Sequence, residues 1–175
     1  MNLEDIEVKV NKPYPEIVGA VDDRNVVAIL KNLLSSRVGE LTAVLQYTFQ
    51  SVEADKVENE IADILEEISI VEMIHVEKLM KAIVDFGGVP RYEDAVGNMF
   101  NAGYVFYSTK LMDMLNANIA GEKKAIEEYK NAISKVRNES LKNLFARIIE
   151  DEELHIAAFK KIKDNVQFLS IWKNK

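Results

Sequence analysis

Apolar residues return at three- and four-residue intervals along most of the chain, a period that predicts long amphipathic helices. Behind Asp22 and Asp23, which suit an N-cap, Val26, Leu30, Leu33, Leu41, Val44 and Val52 share one stripe and predict a first helix ending near Asp55. A second helix is expected from about Val57, through Ile61, Leu65, Ile68, Leu79, Ile83 and Phe86, until Gly87-Gly88 and Pro90 stop it. The third runs from about Ser108 through Leu111, Leu115, Tyr129 and Ile133, and the fourth from Glu139 or Ser140 through Leu141, Phe145, Ile148, Phe159 and Ile162. Residues 87 to about 106 are long for a loop inside a compact domain, whereas the first and second pairs of helices are each joined by a few residues. Two antiparallel hairpins linked by one long crossover make a four-helix bundle. Residues 1–21, with Pro13 and Pro15 in KPYPEI, lack the helical period and read as an extended arm laid over residues 22–164; residues 165–175 are a C-terminal tail.

Composition agrees with an all-α class. Among 175 residues there are 7 Gly and 3 Pro, too few turn formers for many short strands, and 48% hydrophobic residues against 29% charged ones describe a single folded globular domain. A net charge of −7 argues against nucleic acid and against anionic membrane surfaces as partners. The absence of cysteine excludes thiolate metal sites, thiol nucleophiles and disulfides from this chain. No leader-like N-terminus and no long apolar run occur, so a cytoplasmic location is expected.

The candidate chemistry lies in an internal repeat. The two histidines stand 80 residues apart, and each has a glutamate three positions before it: Glu72 with His75, and Glu152 with His155. On the preceding helix of each hairpin, Glu40 and Glu122, 82 residues apart, each open the pattern E-x-x-A-x-x-x-Y, closed by Tyr47 and Tyr129. Residues three or four apart share a helix face, and these glutamates and histidines interrupt the apolar stripes rather than the wet ones. Four carboxylates thereby enter one core, where each ionised group costs several kcal/mol unless it is paired, protonated or bound to metal. The lysines and arginines lie mainly off those stripes. Two divalent cations would balance four glutamates and leave two neutral imidazoles as further ligands.

This constellation resembles the ferritin-like superfamily of di-iron and di-manganese carboxylate proteins, which includes bacterioferritins, rubrerythrins and manganese catalases. The resemblance covers residues 24 to about 164 and implies a ferritin-like four-helix bundle. It implies that Glu40 and Glu122 are terminal ligands, Glu72 and Glu152 bridging ligands, and His75 and His155 one nitrogen donor per metal. Asp151, beside Glu152, matches an acidic position that lies just behind the metal ligands in many relatives; its counterpart in the repeat is Val71, so the surroundings of the two halves are expected to be lopsided. Rubrerythrins usually add a glutamate one turn after the third-helix ligand, where this chain has Ala125, and a cysteine-bound rubredoxin module, for which it has no cysteine.

The function expected from these residues is an oxidoreductase in which two Fe or two Mn ions react with H2O2 or O2, of peroxidase, catalase or ferroxidase type, with an electron donor the sequence does not specify. An iron-storage shell and a structural or coat protein with a vestigial metal site are the alternatives. Tyr47 and Tyr129 are candidates to hydrogen-bond a ligand or quench an oxidising intermediate, or else are core tyrosines. Met73 follows Glu72 as the haem-binding methionine of bacterioferritins does, but an interface methionine is the commoner meaning and haem is not expected. Apolar residues around ISIVEMI (68–74), with Leu41, Leu45 and Phe49, widen the apolar surface of the first two helices and predict a homodimer through them, with thick packing under the arm or crossover as the alternative. The segment VQFLSIW (166–172) is expected to dock on the bundle, with a recognition peptide as the alternative.

Overall fold

The computed structural model describes residue 3 and residues 6–173, with side-chain surroundings through residue 166. Its helices are α1 (Arg24–Ser35), α2 (Glu40–Ala54), α3 (Asn59–Asp85), α4 (Leu111–Lys135) and α5 (Glu139–Lys173). The molecule is all-α: α2 pairs with α3 and α4 with α5 to form the two hairpins, while α1 packs along the C-terminal half of α3. Among the described residues the only β-type pairing is an isolated bridge, Glu93 to Met99, in the crossover. No helix of the described residues is long and apolar enough to cross a membrane.

The first predicted helix is in fact two. Asp23 caps α1 by accepting from the amides of Asn25 and Val26, as expected, but the helix stops at Ser35 and a new one begins at Glu40. Gly39 makes the break possible: a side chain there would place its Cβ 2.6 Å from the carbonyl oxygen of Leu33, so only glycine lets the chain fold back against the last turn of α1. Thr42 Oγ1 ties the corner by donating to the Ser36 carbonyl at 2.9 Å. The break sets Glu40 in the first turn of α2, where the unpaired amides of a helix N-terminus favour a carboxylate. Val52, placed on the buried stripe by its spacing, is instead 63% exposed. The end of α3 is as expected, with Gly87 at φ +79° and Gly88 N–H donating to the Ile83 carbonyl.

Two apolar clusters fill the bundle. One gathers Leu30, Leu34, Leu79, Ile83, Phe145 and Ile148; the other gathers Ile61, Leu65, Ile68, Leu115, Phe159 and Ile162. Along α3, α4 and α5 the glutamates and histidines of the repeat lie between them, so the polar layer is walled by apolar side chains on both sides.

Two segments close over this frame. The crossover is pinned to α2 by Phe106 N–H donating to Gln46 Oε1 at 2.9 Å, and to α1 by Lys31 donating to Glu93 at 2.5 Å and Ala95 N–H donating to Asn32 Oδ1. The extended N-terminal arm buries Leu3 and Val8 in the second apolar cluster and then follows α5. The backbone of residues 165–173 continues α5 rather than forming a separate tail. The expected docking of residues 166–172 falls mostly on side chains outside the described residues.

Candidate metal centre

The six repeat residues converge. Glu40, Glu72, His75 and Glu152 offer ligand atoms all within 4.8 Å of one another, and so do Glu72, Glu122, Glu152 and His155. Glu72 and Glu152 belong to both groups, while Glu40 with His75 and Glu122 with His155 complete one group each. All six are buried, Glu72, Glu152 and both histidines completely.

The imidazoles face the cluster with the same atom. His75 Nδ1 lies 3.0 Å from Glu72 Oε2, 3.3 Å from Glu152 Oε1 and 3.6 Å from Glu40 Oε2. His155 Nδ1 lies 3.0 Å from Glu152 Oε2, 3.1 Å from Glu72 Oε1 and 3.6 Å from Glu122 Oε1. The rings are 6.3 Å apart. Spacing of three on one helix turn makes each Glu–His pair; antiparallel packing of α3 and α5 brings the two pairs face to face.

Each tyrosine serves the glutamate of the other hairpin. Tyr47 OH donates to Glu122 Oε1 at 2.5 Å, and Tyr129 OH donates to Glu40 Oε1. Because α2 and α4 run antiparallel, the residue seven positions after one glutamate lies opposite the other glutamate. Sequence spacing placed both tyrosines on the right face but not on the crosswise partner.

Electrostatics divides the six groups into two kinds. Burial pushes the Glu40 and Glu122 carboxyls well above the usual carboxylate range, and the charges of Glu72 and Glu152 add to it. Burial acts the same way on Glu72 and Glu152, but the histidines overcome it: His155 and His75 hold both carboxyls below the ordinary value. Burial lowers the imidazoles, yet the surrounding carboxylates win and hold both well above the ordinary histidine range. Without metal, then, the two imidazoles are held toward their charged form by Glu72 and Glu152, and Glu40 and Glu122 are the carboxyls held toward the protonated form.

This donor set fits a pair of cations. Glu72 Oε1 and Glu152 Oε1, of the two shared carboxylates, are buried without a satisfactory hydrogen bond among the described residues. Such atoms are costly to leave idle in a dry layer and are suited to a cation between the two groups. Oxygen ligands with one imidazole each and no sulfur suit hard to borderline divalent cations.

Sequence reasoning missed part of the surroundings. Arg147, grouped with cations off the stripes, is 5% exposed and pairs with Asp151 at 2.7 Å. A buried amide chain, Gln46 to Asn118 to Gln50, joins α2 to α4 beside the site. Between these helices a cleft lined by Gly39, Ala43, Ala117, Gly121 and Ala125 reaches Glu40 and Glu122, with Arg37 and Phe106 also on its wall. Small residues at one-turn spacing on α4 were the available signal for it.

The rubrerythrin family model matches residues 31–163. The chain belongs to the rubrerythrin family. Its fold is that of ferritin-like solved structures: KatB, a manganese catalase from Anabaena PCC7120, superposes with a TM-score of 0.80 at 26% identity, over 90% of this chain and 79% of that one. Wild-type KatB from Anabaena gives 0.79 at 24% identity with the same coverage. The bacterioferritin of Rhodobacter capsulatus, solved with a metal-free dinuclear site and a haem iron, gives 0.72 at 26% identity, over 84% of this chain and 88% of that one. No curated protein matches the sequence. Within the rubrerythrin family this member has Ala125 on the wall of its cleft, one turn after Glu122.

Proposed function

We infer that this rubrerythrin-family chain is an oxidoreductase that uses two Fe or two Mn ions to react with H2O2 or O2. The observation that carries the reading is the pair of four-residue donor groups sharing Glu72 and Glu152 in a fully buried layer. Glu40 and His75 would hold one ion and Glu122 and His155 the other, with Glu72 and Glu152 common to both. Bound there, the ions supply the electron exchange with the oxidant. The protein supplies the rest. Apolar clusters on either side keep out water, the tyrosine hydroxyls fix the orientation of Glu40 and Glu122, and the small-residue cleft admits an uncharged diatomic or peroxide-sized molecule to those two carboxylates.

The test is turnover and mass. Protein loaded with Mn or Fe should consume H2O2 or O2, and elemental analysis of protein from its native host should give two ions per chain and name the metal. Leu45, Val52, Ile70 and Met73 are exposed apolar residues of α2 and α3, and a second copy covering them would give a dimer as the native mass. A closed shell of many chains retaining hundreds of irons would instead establish storage. Loss of turnover with retained metal in every form would leave a structural role.

The cleft makes its own prediction. Apart from its chain neighbours and its own helix backbone, no described atom lies within 4 Å of a Cβ added at Gly121, so Gly121→Leu should fold and fill the passage. Metal content should stay at wild-type level while oxidant consumption falls at least tenfold, read as kcat/KM beside elemental analysis.

A further inference from the structure

The two donor groups repeat each other through every residue that faces the cluster, and the repeat fails one layer further out. His75 Nε2 lies 3.2 Å from Asp151 Oδ2. Asp151 is fully buried and held on every side: Tyr14 OH donates to Oδ2 at 2.6 Å, Val10 N–H donates to Oδ1 at 2.7 Å, and Arg147 pairs with Oδ1 at 2.7 Å. Arg147 in turn donates to the carbonyls of Val10 and Lys12 and sits 4.6 Å over the Tyr14 ring, which stands edge-on to His75. The extended arm, Asp151 and His75 thus form one connected assembly. On the other side His155 Nε2 is buried with no partner among the described residues, and the residue 80 positions before Asp151 is Val71, itself 4% exposed.

A carboxylate that accepts the outer N–H of a ligand histidine fixes its tautomer, leaves the inner nitrogen free to bind and makes it more basic; losing such a partner typically costs about 10–100-fold in metal affinity. An outer N–H with no acceptor does none of this, and its burial is a cost that binding at Nδ1 must carry.

On the reading that the cluster holds two cations, we propose that the two positions are unequal: the ion on Glu40 and His75 is held tightly by the arm and Asp151, and the ion on Glu122 and His155 is the weak, exchangeable one. The N-terminal arm is then a positioning element of the metal centre, acting through Asp151, and the ions load in a fixed order. Val71 is the residue that sets the weaker position.

Mn2+ alone is the probe, with free ion counted by electron paramagnetic resonance during titration of the metal-free full-length chain. His155→Ala should retain one Mn2+, bound about 10–100-fold more tightly than the one retained by His75→Ala. In the otherwise unaltered chain two Mn2+ should enter in steps at least tenfold apart, and Tyr14→Phe, a change that leaves the histidines and glutamates in place, should weaken the first step several-fold without moving the second. Val71→Asn, offering an acceptor to His155, should strengthen the second step. Equal affinities in the two histidine variants, or a Tyr14→Phe effect spread over both steps, would overturn the inequality while leaving the two-ion centre intact. A chain that binds no Mn2+ and no Fe2+ at these residues would overturn both.

Discussion

Glu72→Ala should empty both metal positions at once, whereas Glu40→Ala should weaken only its own. Glu72 belongs to both donor groups, with one oxygen 3.0 Å from His75 Nδ1 and the other 3.1 Å from His155 Nδ1. Removing it takes an anionic ligand from each ion and leaves the facing imidazoles with less negative charge to oppose them. The expected loss exceeds the range of about 10–100-fold that removal of an outer hydrogen-bond partner produces, and applies to both ions. Helical content should change little, because the apolar clusters flanking the layer do not include Glu72. Titration with Mn2+ and far-ultraviolet circular dichroism together check this. Retention of two tightly held ions by Glu72→Ala would refute the ligand assignment.

Loading the centre should release protons, up to four per pair of divalent ions, because the four groups whose surroundings favour the protonated form must all be deprotonated to coordinate. Burial and neighbouring carboxylates raise Glu40 and Glu122, and the surrounding carboxylates raise His75 and His155. The sign is set by the direction of those shifts: at low pH the four groups keep their protons and exclude metal, and as pH rises through the raised values they deprotonate and binding strengthens. In the neutral range the overall constant for the pair should therefore fall by up to about ten-thousandfold for each unit of acidification, or about a hundredfold per ion. The exchange preserves charge. With all four protons exchanged, two imidazolium ions, two carboxylates and two neutral carboxyls sum to zero, as do two dications, four carboxylates and two neutral imidazoles, so the dry layer stays neutral on both sides of that exchange. Proton uptake of an indicator dye during titration in weak buffer measures the number directly.

The convergence of the six glutamates and histidines was legible in the sequence because its signals are local or repeated. Glu72 with His75 and Glu152 with His155 are pairs within one helical turn, and duplication of the hairpin supplied Glu40 and Glu122 in matching positions. The break between α1 and α2 was not legible, since Leu33 and Leu41 are eight residues apart and keep the helical stripe in phase across Gly39. Nor was the role of the arm. Its contacts with Asp151 and Arg147 span 135 to 141 residues, and several use backbone N–H and carbonyl groups, which leave no mark in a side-chain pattern. The mismatch between Asp151 and Val71 could be read from the repeat; its consequence, one supported imidazole and one unsupported, needed the packing.

Diffraction from crystals of Mn2+-loaded protein, with anomalous scattering recorded at the metal, tests the central claim most directly. The account predicts two peaks per chain inside the layer, one on Glu40 and His75 and one on Glu122 and His155, both touching Glu72 and Glu152. A single peak, or peaks away from these six residues, would contradict it.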